Sequence, residues 1–310
     1  MDPNKVDPTG GTLGYAAANG LTIAYETFGS PRDAPVLLIM GLGTQMLGWP
    51  DELCQALASS GHYVVRFDNR DVGLSTHLGP VPTPSVVDVT LRRATPPYTI
   101  EDMAMDAAGL LDALHIHSAH VVGASMGGFI AQTLAISHPE KVSSLTLIMT
   151  TTGSLRVGKP KMALMARLLR PKGPMERQGA MDAIVSTFRV IGSRGYALDE
   201  DYLRDLSGRS YDRSHDPAGY QRQLAACVVQ PNRTRQLRAL YVPTVVIHGL
   251  ADPLVSPSGG LALARAIPGA NFVGLGGMGH DLPRPLWPRF VGEILDVAAR
   301  ASGRLASLSD

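Results

Sequence analysis

Ser125 stands in Gly123-Ala124-Ser125-Met126-Gly127, with a glycine two residues away on either side. This G-x-S-x-G spacing suits a serine at the point of a sharp strand-to-helix turn. Only small side chains let strand and helix approach closely enough to hold the serine Oγ clear of the backbone. A serine hydroxyl is a poor nucleophile at neutral pH, so a base must take its proton and an acid must hold that base in one tautomer. Asp252, in Gly249-Leu250-Ala251-Asp252-Pro253, and His280, in Gly277-Met278-Gly279-His280, are the acid and base that fit. Each follows an apolar segment that reads as a strand. The chemistry that Ser125, His280 and Asp252 would carry out together is acyl transfer.

Acyl transfer also requires donors for the negative oxygen of the tetrahedral intermediate, and loss of one donor typically costs about 3 kcal/mol in the barrier. Two backbone amides are candidates. One is that of Met126, directly after the serine and at a helix N-terminus; the other is that of Leu42, in the turn Gly41-Leu42-Gly43. The chain has nine histidines, so His280 has competitors. His115, His117 and His120 sit before the Ser125 strand and so at the opposite edge of the sheet, while His248 reads as a support for the loop of Asp252. Asp68-Asn69-Arg70-Asp71 reads as a structural turn in which an Asp–Arg pair holds the loop together. Gly41-Leu42-Gly43 lacks the remaining glycines and the lysine of a phosphate-binding loop, so no nucleotide cofactor is expected. No clustered ligand spacing points to a metal, and Cys54 and Cys227 read as buried free thiols.

These residues need a scaffold that brings loop ends together, and the rest of the chain reads as one. Leu13 to Ala17 and Leu21 to Thr27 flank Asn19-Gly20, a pair suited to a type I′ hairpin turn. Val36 to Met40 is continuously apolar, as expected of a parallel strand covered on both faces. Pro50 to Ser60 reads as a helix, His62 to Phe67 as a strand, Gly79 to Pro97 as a proline-rich loop, and Thr99 to Leu114 as a helix with an acidic first turn. Ala119 to Val122, the Ser125 turn, the helix Phe129 to Ser137 and the strand Val142 to Met149 follow. The same rhythm returns in Val242 to Gly249, the helix Ser258 to Ile267, the strand Asn271 to Leu275 and a closing amphipathic helix, Leu286 to Ala301, with a frayed tail beyond it.

Between these two runs the rhythm breaks. Helical pieces are predicted at Lys161 to Leu169, Met175 to Ile191, Asp199 to Leu206 and Pro217 to Val229, without a strong strand signal. The organisation expected is therefore a core of residues 1–150 and 236–310, with a helical cap at 151–235. The cap holds 15 Lys and Arg against 8 Asp and Glu, a net of +7, while the remainder carries −6. Its basic residues read first as a solvated surface and second as a positive roof over the serine. Met162, Met165, Met175 and Met181 would suit an adaptable apolar pocket or a small core.

Over all 310 residues, 28 basic and 27 acidic side chains leave no charge signal for nucleic acid or for a membrane surface, and no apolar run reaches the length of a membrane span. Met1 to Gly11 is polar, unlike a secretory signal, so a cytoplasmic protein is expected.

Taken together, the early glycine turn, Gly-Ala-Ser-Met-Gly, His-Gly-Leu-Ala-Asp and Gly-Met-Gly-His resemble the α/β-hydrolase superfamily, over nearly all of the chain outside the cap. The blocks Ile39 to Glu52 and Arg66 to Ser75 are similar, more narrowly, to the branch of aclacinomycin methylesterase and macrolide esterases. The resemblance implies an α/β-hydrolase fold, a mostly parallel sheet flanked by helices. The chain order Ser125, Asp252, His280 is that of the superfamily, and carboxylic-ester hydrolysis without a cofactor or metal is implied. The substrate expected is a moderately large apolar ester, lactone or thioester. Met40 departs from the pattern, because many members place a histidine there before the glycine. Three other readings use the same residues: a ligand-sensing protein with slow turnover, a carbon–carbon hydrolase and a perhydrolase.

Overall fold

The computed structural model describes residues 10–79, 95–161, 164 and 175–309, with side chains as far as residue 303. Eight strands form one sheet: β1 (Thr12–Ala18), β2 (Leu21–Phe28), β3 (Ala34–Ile39), β4 (His62–Phe67), β5 (Ala119–Ala124), β6 (Val142–Ile148), β7 (Thr244–Gly249) and β8 (Asn271–Leu275). Their order is β1-β2-β4-β3-β5-β6-β7-β8. β1 and β2 form a hairpin closed by Asn19 (φ 50°) and Gly20 (φ 75°), β2 pairs antiparallel with β4, and all later pairings are parallel. The parallel strands therefore end on one edge, and the loops carrying Leu42, Ser125, Asp252 and His280 leave from it.

Alternate residues of the central strands feed two separate cores, as the two-residue period of a strand requires. Leu37, Ile39, Val121 and Val246 point to one side, where they meet α2 (Ile100–Ala113), α3 (Met126–Ser137) and α8 (Ser258–Ala266). Val36, Leu38, Val122, Val245 and Ile247 point to the other, against α1 (Asp51–Ser59) and α9 (Trp287–Ser309). Full burial of each such side chain contributes about 1.5–3 kcal/mol. Helix α2 starts at a reciprocal cap: Thr99 Oγ1 accepts from the Asp102 N–H and Asp102 Oδ2 accepts from the Thr99 N–H. Helix α3 is buried continuously from Met126 to Ala135, as its largely apolar sequence requires, and Gln132 and Thr133 within it are hydrogen-bonded.

Between β6 and β7 come α4 (Arg177–Ile191), α5 (Glu200–Arg213), α6 (Pro217–Val229) and the short α7 (Thr234–Leu237). Helix α5 runs seven residues past its predicted end at Leu206, through a Ser-Gly-Arg-Ser stretch of poor helix propensity. Tertiary contacts override that propensity. Gln45 Nε2 donates to the Ser210 carbonyl, and Gly208 leaves room for the Arg177 guanidinium. The last helix continues to Ser309 rather than fraying after Ala301. Of the helix expected over 161–169, only residues 161 and 164 fall among those described, and Met162 and Met165 lie outside them. Among the described residues no helix is long and apolar enough to cross a membrane.

Candidate active site

β5 runs into α3 through Ser125, whose backbone lies at φ 54° and ψ −116°. A residue with a Cβ holds such a conformation at a cost of about 1–3 kcal/mol, so the surroundings must impose it. They do so through hydrogen bonds: the Ser125 N–H donates to Ile148 O (3.0 Å), and Ser125 O accepts from the Gly128 N–H (3.0 Å) and Thr150 Oγ1 (2.8 Å). The flanking glycines permit the approach. A Cβ on Gly123 would stand 2.3 Å from Gly127 O, and one on Gly127 would stand 2.0 Å from Ile39 O.

His280 comes from the loop after β8 and Asp252 from the loop after β7. His280 Nε2 is 3.0 Å from Ser125 Oγ, and His280 Nδ1 is 2.8 Å from Asp252 Oδ2. Both side chains are buried. The other carboxylate oxygen, Asp252 Oδ1, accepts from the N–H groups of Leu254 (2.8 Å) and Val255 (2.9 Å), which fixes the acid's orientation. His248 also approaches Asp252 (3.6 Å), but its Nε2 donates to the Val255 carbonyl (2.8 Å) and burial lowers its pKa. It therefore braces the acid's loop as a neutral ring. His120 lies at the far end of β5, hydrogen-bonded to Ser144 (2.9 Å).

The loop of His280 is stapled to the end of α4. Asp281 accepts from the Ser193 N–H (3.0 Å) and from Ser193 Oγ (2.6 Å), Ser193 Oγ accepts from the Gly279 N–H (3.0 Å), and the His280 N–H donates to Ile191 O (2.8 Å). Burial raises the Asp281 pKa, and the Ser193 hydrogen bonds oppose that rise. Ser193 and Asp281 escaped the sequence reading because nothing local links residues 88 positions apart.

Leu42 lies in a turn closed by the Thr44 N–H on Gly41 O (3.3 Å). Gly41 packs against the serine, so that a Cβ there would stand 3.2 Å from Ser125 Cβ. Neither the Leu42 nor the Met126 amide donates to an acceptor among the described residues. The turn at Met40, which lacks the expected histidine, is braced by Asn69, whose Nδ2 donates to Met40 O (3.0 Å). Next to it, the turn of Asp68, Arg70 and Asp71 is structural in a different way from that expected. Arg70 pairs with Asp106 on α2, Asp68 with Arg213 (3.0 Å) on α5, and Asp71 with Arg222 (2.7 Å) on α6. Two basic residues of the helical segment thus dock it onto buried carboxylates of the sheet side, instead of facing solvent or the serine. Asp71, His77 and Asp216 also converge, a grouping with metal-ligand types that sequence spacing hid. The Arg222 guanidinium bonds both carboxylates, and His77 Nδ1 lies 2.9 Å from Asp216.

A cavity of about 230 Å³ opens beside Gly43 and Thr44, walled by Met175 and Ile184 of the α4 region, Leu206 and Tyr211 of α5, and Tyr220 of α6.

With this fold and this arrangement of side chains, residues 34–283 match the α/β hydrolase fold family. The chain belongs to that family, and its class is that of a hydrolase with esterase relatives. Among them, rhodomycin D methylesterase DauP of a Streptomyces species is 31% identical over 287 residues, covering 85% of this chain and 90% of the relative. The 3-oxoadipate enol-lactonase 2 of Acinetobacter baylyi is 26% identical over 253 residues, covering 81% and 83%. Among solved structures, the enol-lactonase from Burkholderia xenovorans superposes with a TM-score of 0.73 at 25% identity, over 92% of this chain and all of that one.

Proposed function

We propose that the chain is a serine hydrolase that cleaves a moderately large apolar ester, lactone or thioester through an acyl-enzyme, without a cofactor. The observation that carries this reading is the unbroken hydrogen-bond chain Ser125 Oγ, His280, Asp252 at the loop edge of the sheet. In this reading His280 Nε2 takes the Ser125 proton as Oγ attacks the carbonyl carbon. The N–H groups of Leu42 and Met126 receive the oxyanion, and Asp252 stabilises the imidazolium. His280 then returns the proton to the departing alcohol or thiol, and a water activated by the same ring releases the acid. Residues 151–235 act as a cap that sets substrate choice through apolar contact, and the protein works in the cytoplasm. An esterase relative and a lactonase relative support ester cleavage, while Ser125, His280 and Asp252 are common to the sensing, carbon–carbon and perhydrolase readings.

The test is a panel of p-nitrophenyl esters and acyl thioesters of graded length, with a macrocyclic lactone, run on wild type and Ser125→Ala. Each added buried methylene contributes roughly 0.8 kcal/mol, so kcat/KM should climb with acyl length. A flat profile would remove the apolar cap from the reading.

A further inference from the structure

We infer that Gln223, on α6, is a positioning residue for the oxyanion hole: it locks the turn that presents the Leu42 amide. The inference rests on the serine-hydrolase reading above.

Gln223 is fully buried, and both ends of its amide are used. Oε1 accepts from the Gly43 N–H at 2.8 Å, and Nε2 donates to Arg70 O at 2.7 Å. An N–H only donates and a carbonyl only accepts, so these partners leave one orientation for the amide. Its chain neighbour Arg222 is held by two hydrogen bonds to Asp71, 2.8 and 2.7 Å. Consecutive residues of α6 thus grip consecutive residues of the loop after β4. Tyr220, one turn earlier, closes over the same glycine: a Cβ on Gly43 would stand 2.4 Å from Tyr220 Cδ2.

The geometry of the turn gives this grip a consequence. Gly41 O accepts from the Thr44 N–H, so Leu42 and Gly43 are the two central residues of a β-turn, with Gly43 at φ +64°. In such turns the central peptide, here Leu42–Gly43, is the plane whose orientation distinguishes one turn type from another. The turn's own hydrogen bond leaves that plane free. Gln223 is the group that fixes it, by holding its N–H, while Asn69 holds Met40 O on the other flank. The Leu42 N–H shares its peptide plane with Gly41 O, which the Thr44 N–H holds, and with the planes on both flanks fixed by Gln223 and Asn69 it keeps one direction beside Ser125. An oxyanion donor is effective when it needs no reorganisation as charge develops. The contact spans 180 residues and comes from the helical segment, so the element proposed to select the substrate also sets the electrostatics of the reacting oxygen.

The experiment compares wild type with Gln223→Met, similar in length but lacking both hydrogen bonds, and Gln223→Glu, which keeps an acceptor for Gly43. On the best p-nitrophenyl ester, Gln223→Met should lower kcat about tenfold or more with KM within about twofold. A trifluoromethyl ketone, which binds as the tetrahedral adduct, should weaken by the same factor, and Gln223→Glu should recover part of both losses. A kcat within about twofold of wild type, or a loss confined to KM, would overturn the inference. Should Gln223→Met not fold, amide exchange at Gly43 in the wild-type protein decides, since a fast-exchanging amide there would also overturn it. Loss of hydrolysis in Ser125→Ala beside an unaffected Gln223→Met would remove this inference and leave the serine reading standing. Full activity in Ser125→Ala would remove both.

Discussion

His280 Nε2 lies 3.0 Å from Ser125 Oγ although 155 residues separate them in the chain, and the same ring turns its Nδ1 to Asp252 at 2.8 Å. An ionised carboxylate can only accept, so the Nδ1 proton faces Asp252 and the Nε2 lone pair faces the serine hydroxyl. That tautomer is the one a general base requires.

Ser125→Ala should reduce ester hydrolysis on the order of 10³-fold or more while leaving the melting temperature close to wild type, because the strained turn is kept. Ser125→Gly should be equally inactive but more stable, by about 1 kcal/mol, since glycine accepts φ 54° without strain. Thermal melts of the three proteins, with rates on one ester, check both statements. A Ser125→Gly protein that melts below Ser125→Ala would contradict the strain argument.

His280→Ala should match Ser125→Ala in lost activity. His248→Gln should keep activity within about tenfold, because its amide can still donate to Val255 O and so hold the loop of Asp252. Steady-state rates on both variants decide between the two histidines. Equal losses would mean that His248 shares the chemistry.

The oxyanion donor proposed at Leu42 is a backbone group, so Leu42→Ala should leave kcat within about tenfold. Leu42→Pro removes the N–H and should lower kcat on the order of 10²-fold. If the two variants prove alike and nearly unimpaired, the second donor lies elsewhere.

Ser193→Ala strips one hydrogen bond from the buried Asp281 carboxylate and leaves the Gly279 N–H without its acceptor. A loss of about 1–3 kcal/mol in stability is expected, together with a lower kcat from a looser His280 loop. Urea unfolding and kinetics on the same preparation measure both. Unchanged values would show that the α4 staple is dispensable.

Burial lowers His120 from its ordinary 6.5 to about 4. Above pH 6.5 the ring is neutral in both folded and unfolded chains, and its contribution to stability is fully present. As pH falls from 6.5 towards 4, the unfolded chain takes up a proton that the folded chain refuses, so stability drops, by at most about 3 kcal/mol. Denaturant midpoints across this window should fall less steeply for His120→Gln than for wild type.

Much of this molecule is legible along the chain. Gly123 marks the serine turn because its constraint is local, a Cβ there meeting the Gly127 carbonyl of the same turn, whereas Gly127 is required by the neighbouring strand, since a Cβ there would meet Ile39 O of β3. The alternation of continuous apolar runs with helical stretches implied a mostly parallel sheet, and a parallel sheet places its loop residues on one edge. With the G-x-S-x-G turn and the Ser, Asp, His chain order, that shared edge allowed Ser125, Asp252 and His280 to be read as a set that meets in space. The length of α5 is not legible along the chain, since Ser207 and Gly208 carry no helix signal and contacts with Gln45, Arg177 and Asp68 extend it.

Tertiary structure alone decided who holds whom. Arg70 looked like the partner of its neighbours Asp68 and Asp71, but β4 delivers the loop so that Arg70 meets Asp106, while Arg213 and Arg222 arrive from another segment to take the two aspartates. The excess positive charge of residues 151–235 suggested a solvated surface or a roof, and in the fold part of it is a dock. Gln223 on Gly43 and Ser193 on Asp281 had no signal at all in composition or period. Their roles depend on angles between helices and loops far apart in the chain, and a side chain's polarity says that it needs a partner without saying where that partner will be.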